Sequence, residues 1–98
     1  MRNPIADLNK IFDSRIRLGV MSLLVVNETV SFNEFKEMLA LTDGNLASHL
    51  STLEQVQYLS VRKAFIGRKT NTTYSVTALG KQAFKAHLDA LEKMIKNI

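Results

Sequence analysis

Small hydrogen-bonding residues recur along one side of a helix that the sequence predicts from about Asp43 to Gln57. The apolar stripe of this helix has the spacing i, i+4, i+7 and consists of Leu46, Leu50 and Leu53. Because each helical residue is rotated by about 100° from the one before it, the opposite face is polar. That face presents Gly44, Ser48 and Ser51, with Asn45 and Thr52 beside them. Amide and hydroxyl groups of this kind bond to base edges and phosphates, so the face is a candidate DNA-contacting surface.

The first turn of the same helix could approach a phosphate closely. Thr42 is a candidate N-cap, and the free N–H groups of a helix N-terminus attract anions. Gly44 has no side chain to hold a phosphate away. Asp43 opposes this contact through its negative charge, and it either helps to cap the helix or accepts a hydrogen bond from a cytosine amino group.

His49 lies about 60° from the apolar stripe, at the border between core and surface. Two interpretations are open: a packing or hydrogen-bonding residue, or a phosphate contact. His87 belongs to a different predicted helix, and the sequence has no cysteine and no paired acidic cluster beside either histidine. We therefore predict no metal site and no cofactor.

Basic residues are concentrated in one part of the chain, although the net charge is only +4. Residues 55–88 contain six Lys and Arg residues and no acidic residue, whereas the remainder contains seven basic and nine acidic residues. This distribution favours a polyanionic partner, with a solvated basic surface as the alternative. Lys63, Arg68 and Lys69 are the candidate contacts to backbone phosphates or to a minor groove. Arg62 joins them only if its strand face points toward DNA, and a hairpin whose charges merely protect a sheet edge is the alternative.

Helix caps and residue types predict the elements that position these groups. A short amphipathic helix follows Pro4, and a second helix begins after Asp13 or Ser14. Ser31 and Glu34 match a capping box. The predicted elements are a helix-turn-helix at about 31–57, a hairpin at about 59–76 with strands 59–66 and 72–76 and a tip at 67–71, and a helix at about 77–97 that Thr77 caps.

The sequence also resembles a known family. Residues 41–54 look like the recognition-helix signature of small MarR/ArsR-like winged-helix transcriptional regulators, and residues 67–70 and 74–80 are similar to their wing and following helix. The resemblance covers about 14–84 and implies a mainly α fold with a small β-hairpin (α+β), a single winged helix-turn-helix domain over 1–98. We call the hairpin at 59–76 the wing. Gln57 departs from the pattern because these regulators usually have a glycine there, which ends the helix in a left-handed conformation.

The first and last helices are candidates for self-association. They carry more apolar residues than a three-helix core needs, and the last stripe is heptad-like. The predicted interface residues are Ile5, Leu8, Phe12, Leu88, Leu91, Ile95 and Ile98. The alternative is that both helices pack on their own domain.

Other classes of function are disfavoured. The sequence has no nucleophile with an adjacent base, no phosphate-binding glycine loop and no plausible carboxylate pair, so we predict no enzyme. No apolar run is long enough to cross a bilayer and no signal peptide is predicted, so we expect a cytoplasmic protein. The main hypothesis is a homodimeric regulator that binds double-stranded DNA and represses or otherwise regulates transcription. A small-molecule effector is left open. The alternative is a winged helix that binds another protein, whose recognition face would be apolar.

Overall fold

Polar side chains set where the helices begin. In the computed structural model, which describes residues 3–96, the helices are α1 (Arg15–Val26), α2 (Phe32–Met38), α3 (Asp43–Gln55) and α4 (Ala78–Lys96). Ser14 caps α1, Ser31 and Glu34 form the predicted capping box of α2, and Thr42 caps α3. The Thr77 hydroxyl accepts a hydrogen bond from the N–H of Gly80 in the first turn of α4. Each cap satisfies an N–H group that the helix itself leaves without a partner.

The N-terminal segment differs from the prediction. The helix expected after Pro4 is not formed; turns at residues 4–7 lead into a 3-10 helix, Lys10–Phe12. Two asparagines explain the difference, because the Asn3 side chain accepts from the N–H of Ile5 and the Asn9 side chain accepts from the N–H of Ile11. Such local bonds compete with a continuous helix.

Three strands form one antiparallel sheet in the order β1-β3-β2. The strands are β1 (Val30–Ser31), β2 (Leu59–Ile66) and β3 (Lys69–Val76). The two-residue β1 is too short to give a sequence pattern and was not predicted. Ile66 pairs with Lys69, so the tip of the wing is Gly67-Arg68 and not the predicted 67–71. Gly67 has a φ of 67°, which suits the first position of a tight two-residue hairpin turn.

One core joins the helices to the inner half of the sheet. Its largest fully buried side chains are Met21, Leu24, Phe35, Leu46 and Leu53. These come from α1, α2 and α3, and Leu59 and Tyr74 of the sheet pack with them. The structure thus confirms an α+β winged helix in which one face of α3 packs on the core. Residues 62–70, which we call the outer wing, are all exposed and project away from the core.

The junction from α3 to the wing is fixed by two backbone features. Gln57 has a left-handed φ of 64°, the conformation in which a glycine at this position of the family pattern would end the helix. Its carbonyl accepts a hydrogen bond from the Thr77 hydroxyl at 2.6 Å. A Cβ atom on Gly80 would lie 2.1 Å from the Tyr58 carbonyl oxygen, so only glycine allows α4 to approach the start of the wing this closely.

Candidate nucleic-acid interface

The recognition face of α3 is the exposed side of that helix, and it consists of small polar residues. On the opposite side Leu46, Leu50 and Leu53 are between 0% and 3% exposed. The predicted outward residues Gly44, Asn45, Ser48 and Ser51 are all exposed. Thr52 is half-buried, and its hydroxyl donates to the Ser48 carbonyl at 3.2 Å. The three buried leucines therefore hold this face in a fixed position on the core. The Thr52 hydroxyl is already hydrogen-bonded within the helix.

The start of α3 is open to a close ligand. The Thr42 side chain accepts from the N–H of Asn45, and a Cβ atom built on Gly44 would meet no atom within 4 Å. Asp43 forms an ion pair of 2.7 Å with Lys36 of α2, so its negative charge is opposed by a neighbouring cation. Sequence reasoning missed Lys36, because only the packing of α2 beside α3 brings it to this helix end.

His49 is held by Arg17, which the sequence analysis did not single out. The Nη1 atom of Arg17 lies 2.9 Å from Nδ1 of His49, and its Nε donates to the Ile11 carbonyl. Since a guanidinium only donates, Nδ1 accepts and the imidazole proton is on Nε2. Burial, followed by the positive charge of Arg17, lowers the pKa of His49 below its usual value. The structure thus shows a hydrogen-bonding role for this neutral ring, and a phosphate contact through its Nε2–H stays a prediction.

The three predicted wing cations, Lys63, Arg68 and Lys69, are exposed. Within residues 3–96 none of them forms an ion pair, so their charges are free to meet an anion. Side chains alternate along β2, which places Lys63 on the same face as the buried Leu59 and puts Arg62 on the other face. The face of the wing that carries Lys63 is the one turned toward the helices, and Arg62 does not share it.

The predicted self-association residues fall into four groups. Ile5, Leu88, Leu91 and Ile95 are exposed apolar side chains, Leu8 is half-buried, and Ile98 lies outside the described residues. Phe12 is a correction, because it is only 2% exposed and belongs to the protomer's own core. Its ring lies 5.0 to 5.6 Å from the rings of Tyr58, Phe84 and His87, so it cannot offer a contact surface.

A hydrogen bond to His87, which is 4% exposed, connects the N-terminal segment to α4. Nδ1 of His87 accepts a hydrogen bond from the N–H of Asn9, and the Asn9 amide donates to the Tyr58 hydroxyl. Among the described residues no three His, Asp or Glu side chains are grouped so as to hold a metal ion. In the same part of the chain, no helix has the length and apolar character needed to cross a membrane.

This fold, with a polar helix face beside a basic hairpin, defines a class of nucleic-acid-binding domain. The chain belongs to the winged helix DNA-binding domain family, which it matches over residues 16–95. It is 38% identical over 89 residues to an uncharacterized protein of Methanocaldococcus jannaschii, a match that covers 91% of this chain and 97% of the relative. It is also similar to the structure of a transcriptional regulator homologue from Pyrococcus horikoshii, with 30% identity, a TM-score of 0.77 and coverage of 90% and 92% of the two chains.

A structure solved with DNA has the same fold. Bacillus subtilis PadR in complex with operator DNA is similar with a TM-score of 0.68 over 76% of this chain and 47% of PadR. The identity is 17%, so this likeness concerns the fold alone. The resemblance to MarR-like winged-helix regulators that the sequence predicted is confirmed.

Proposed function

We propose that this protein is a transcriptional regulator that binds double-stranded DNA as a homodimer, with α3 in the major groove. The observation that carries this proposal is the recognition face of α3. Its Asn45, Ser48 and Ser51 side chains are exposed, short and of the kind that bonds to the edges of bases, while three buried leucines hold the helix in place. Phosphate contacts from the start of α3 and from the wing would fix its register on the duplex.

The alternative, a winged helix that binds another protein, fits this face less well. Protein interfaces are centred on buried apolar or aromatic anchors. On the exposed side of α3 the only apolar side chain is that of Ala47. The polar face and the unpaired wing cations therefore favour a nucleic acid over a protein as the ligand of this surface.

The homodimer is supported by the outer surface of α4. This helix buries Phe84 and Ala90 against its own domain, yet Leu88, Leu91 and Ile95 remain exposed. These three residues recur at alternating steps of three and four, which is the spacing of a helix seam that packs on another helix. In a symmetric dimer the two copies of α3 would sit about 34 Å apart or a multiple of this, and the operator would be roughly palindromic.

The finer parts of the proposal follow from the binding role. We infer a cytoplasmic protein that acts by occupying DNA without catalysing a reaction, and repression is the simplest result of such occupancy. An effector, if there is one, would bind where the two protomers meet.

The experiment is a selection of duplexes from a random-sequence pool, followed by a gel shift of the selected and a scrambled duplex over a range of salt concentrations. We expect a roughly palindromic preferred site and an affinity that decreases steeply with salt, because neutralised phosphates release counterions. Light scattering of the free protein should give twice the chain mass. Failure of wild-type protein to bind any duplex at low salt would contradict the proposal, and a monomer at all concentrations would contradict its dimeric form.

A further inference from the structure

The outer wing carries two large apolar side chains that the core does not use. Phe65 is 78% exposed and Ile66 is 67% exposed. Every residue from Arg62 to Thr70 is exposed, so this part of the hairpin stands clear of the domain. An isolated apolar side chain on a surface is common, but two adjacent ones beside a hairpin tip form a small patch that could serve contact with another molecule.

The surroundings of this patch are cationic. Lys63 lies two residues before Phe65, Arg68 is in the turn with Gly67, and Lys69 pairs with Ile66 across the hairpin. Within residues 3–96 none of these cations is paired, and the sequence from 55 to 88 contains no acidic residue. A partner with only apolar groups would cover this patch but leave the positive charges of these three cations without a counter-charge. Charge complementarity therefore favours a polyanion with apolar surface inside it, which describes a DNA groove between its two phosphate rows.

The two apolar residues lie on opposite faces of the wing. Phe65 pairs with Thr70 and shares its face with Lys63 and the buried Leu59, whereas Ile66 pairs with Lys69 on the other face. The inner part of β2 packs against α3. Phe65 is thus on the face of the wing that packs against the domain at the base of the hairpin, and Ile66 is on the opposite face.

The dimensions of the wing suit a groove edge. Residues 63–66 extend the hairpin by roughly 13 Å at ~3.3 Å for each residue of a strand. A minor groove is about 6 Å wide, so a single side chain that projects from the outer wing could enter it but the paired strands could not.

We propose that Phe65 is an apolar wedge that enters the minor groove beside the site of α3, partly unstacks one base step and bends the DNA. This inference rests on the proposed function. Apolar side chains inserted in this way kink duplexes by roughly 20–90°. Pyrimidine–purine steps such as TA and CA are the easiest to unstack. The wedge therefore gives the protein a preference for a flexible step outside the bases that α3 contacts.

The test measures bending and affinity on the selected duplex, with fluorophores at its two ends for energy transfer. Wild-type protein should bring the ends closer together. Phe65→Ser should abolish most of this change and weaken binding at least about fivefold, the lower scale of losing one aromatic–base stack. Phe65→Leu should retain the bend, because leucine can also act as a wedge. Ile66→Ser is the matched control, because Ile66 is a neighbouring exposed apolar residue on the other face, and this variant should bend DNA as wild type does.

Each of the other outcomes overturns the wedge. Salt-dependent binding without a bend, or equal losses from Phe65→Ser and Ile66→Ser, would refute it and leave the proposed DNA-binding function intact. If Phe65→Ser protein without DNA had a different oligomeric mass from wild type, the patch would instead be assigned to contact with a second copy of the chain. If wild-type protein binds no duplex at all, the proposed DNA-binding function itself is wrong, and this outcome is distinguishable from failure of the wedge alone. Both side chains are exposed, so thermal unfolding of the variants should match wild type and show that they are folded.

Discussion

The helix α3 and the outer wing offer polar surface to the same proposed ligand, but they are held in different ways. α3 has one face locked into the core by Leu46, Leu50 and Leu53, whereas the wing beyond Val61 has no buried residue on β2. A group that reads base identity must be held within a fraction of an ångström, which a packed helix provides. A phosphate contact carries no sequence information and tolerates a more mobile support. Substitutions in α3 can therefore damage stability or specificity, while substitutions of the wing cations should change affinity alone.

The largest expected effect comes from the buried side of α3. Leu50 is 3% exposed and belongs to the hydrophobic core on which α3 packs. Leu50→Ala should lower the free energy of unfolding by about 2–5 kcal/mol, because it removes buried methyl groups and leaves a cavity. Chemical denaturation measures this change. A loss below about 0.5 kcal/mol, the scale of a surface substitution, would mean that α3 is not anchored as described.

The exposed side of the same helix should behave in the opposite way. Ser48→Ala should leave the melting temperature nearly unchanged and weaken binding to the selected duplex by about 1–3 kcal/mol, the usual scale of a base contact. Gel shifts and thermal unfolding provide the two measurements. If the variant unfolded while affinity per folded molecule stayed the same, the assignment of faces would be wrong.

The wing cations should affect affinity without affecting sequence preference. In a dimer Arg68→Ala removes two phosphate contacts, and since each contributes ~0.9 to the slope of log affinity against log salt, the slope should become shallower by about 1.8. Lys63→Ala should act similarly. Arg62→Ala is the matched control, because Arg62 lies on the opposite face of the same strand. Equal slopes for Lys63→Ala, Arg68→Ala and wild type would show that the wing does not touch DNA.

The smallest expected effect concerns pH. Burial and the neighbouring Arg17 lower the pKa of His49 from its ordinary 6.5, so the unfolded chain takes up a proton at a higher pH than the folded chain does. This contribution to stability is complete above the unfolded pKa and is lost as the pH decreases through the folded pKa. His49→Gln cannot titrate and keeps an acceptor for Arg17. Between about pH 7.5 and 5.5 its melting temperature should decrease less than that of wild type. His87 is present in both proteins, so the difference between them reports on His49 alone. Identical decreases in melting temperature would contradict this role of His49.

Local signals predicted much of the fold, and tertiary contacts explain what was missed. Ser14, Ser31, Thr42 and Thr77 begin their helices as predicted, because a cap depends on residues within one turn. Gln57 was noted only as a departure from the glycine of the family pattern, and its own left-handed backbone was not predicted.

The missed features depend on parts of the chain that are distant in sequence or on competing local bonds. Lys36 and Arg17 reach α3 only through packing, and β1 exists only because Val30 pairs with Tyr74. Phe12 was assigned to the surface because helical spacing alone cannot tell a dimer interface from the protomer's own core. The recognition face itself was predictable, since the spacing of its leucines fixes which side of α3 is exposed.

The central claim is that the exposed face of α3 reads bases. The most direct measurement is a selection of duplexes by Asn45→Ala protein, run beside wild type, because Asn45 is exposed in the first turn and its amide suits adenine. We expect the variant to lose its preference at one or two adjacent positions of each half-site and to keep the wild-type salt slope, since no phosphate contact is removed. Recovery of the wild-type site, unchanged at every position, would contradict the claim for Asn45. The same result from Ser48→Ala would contradict it for the whole face.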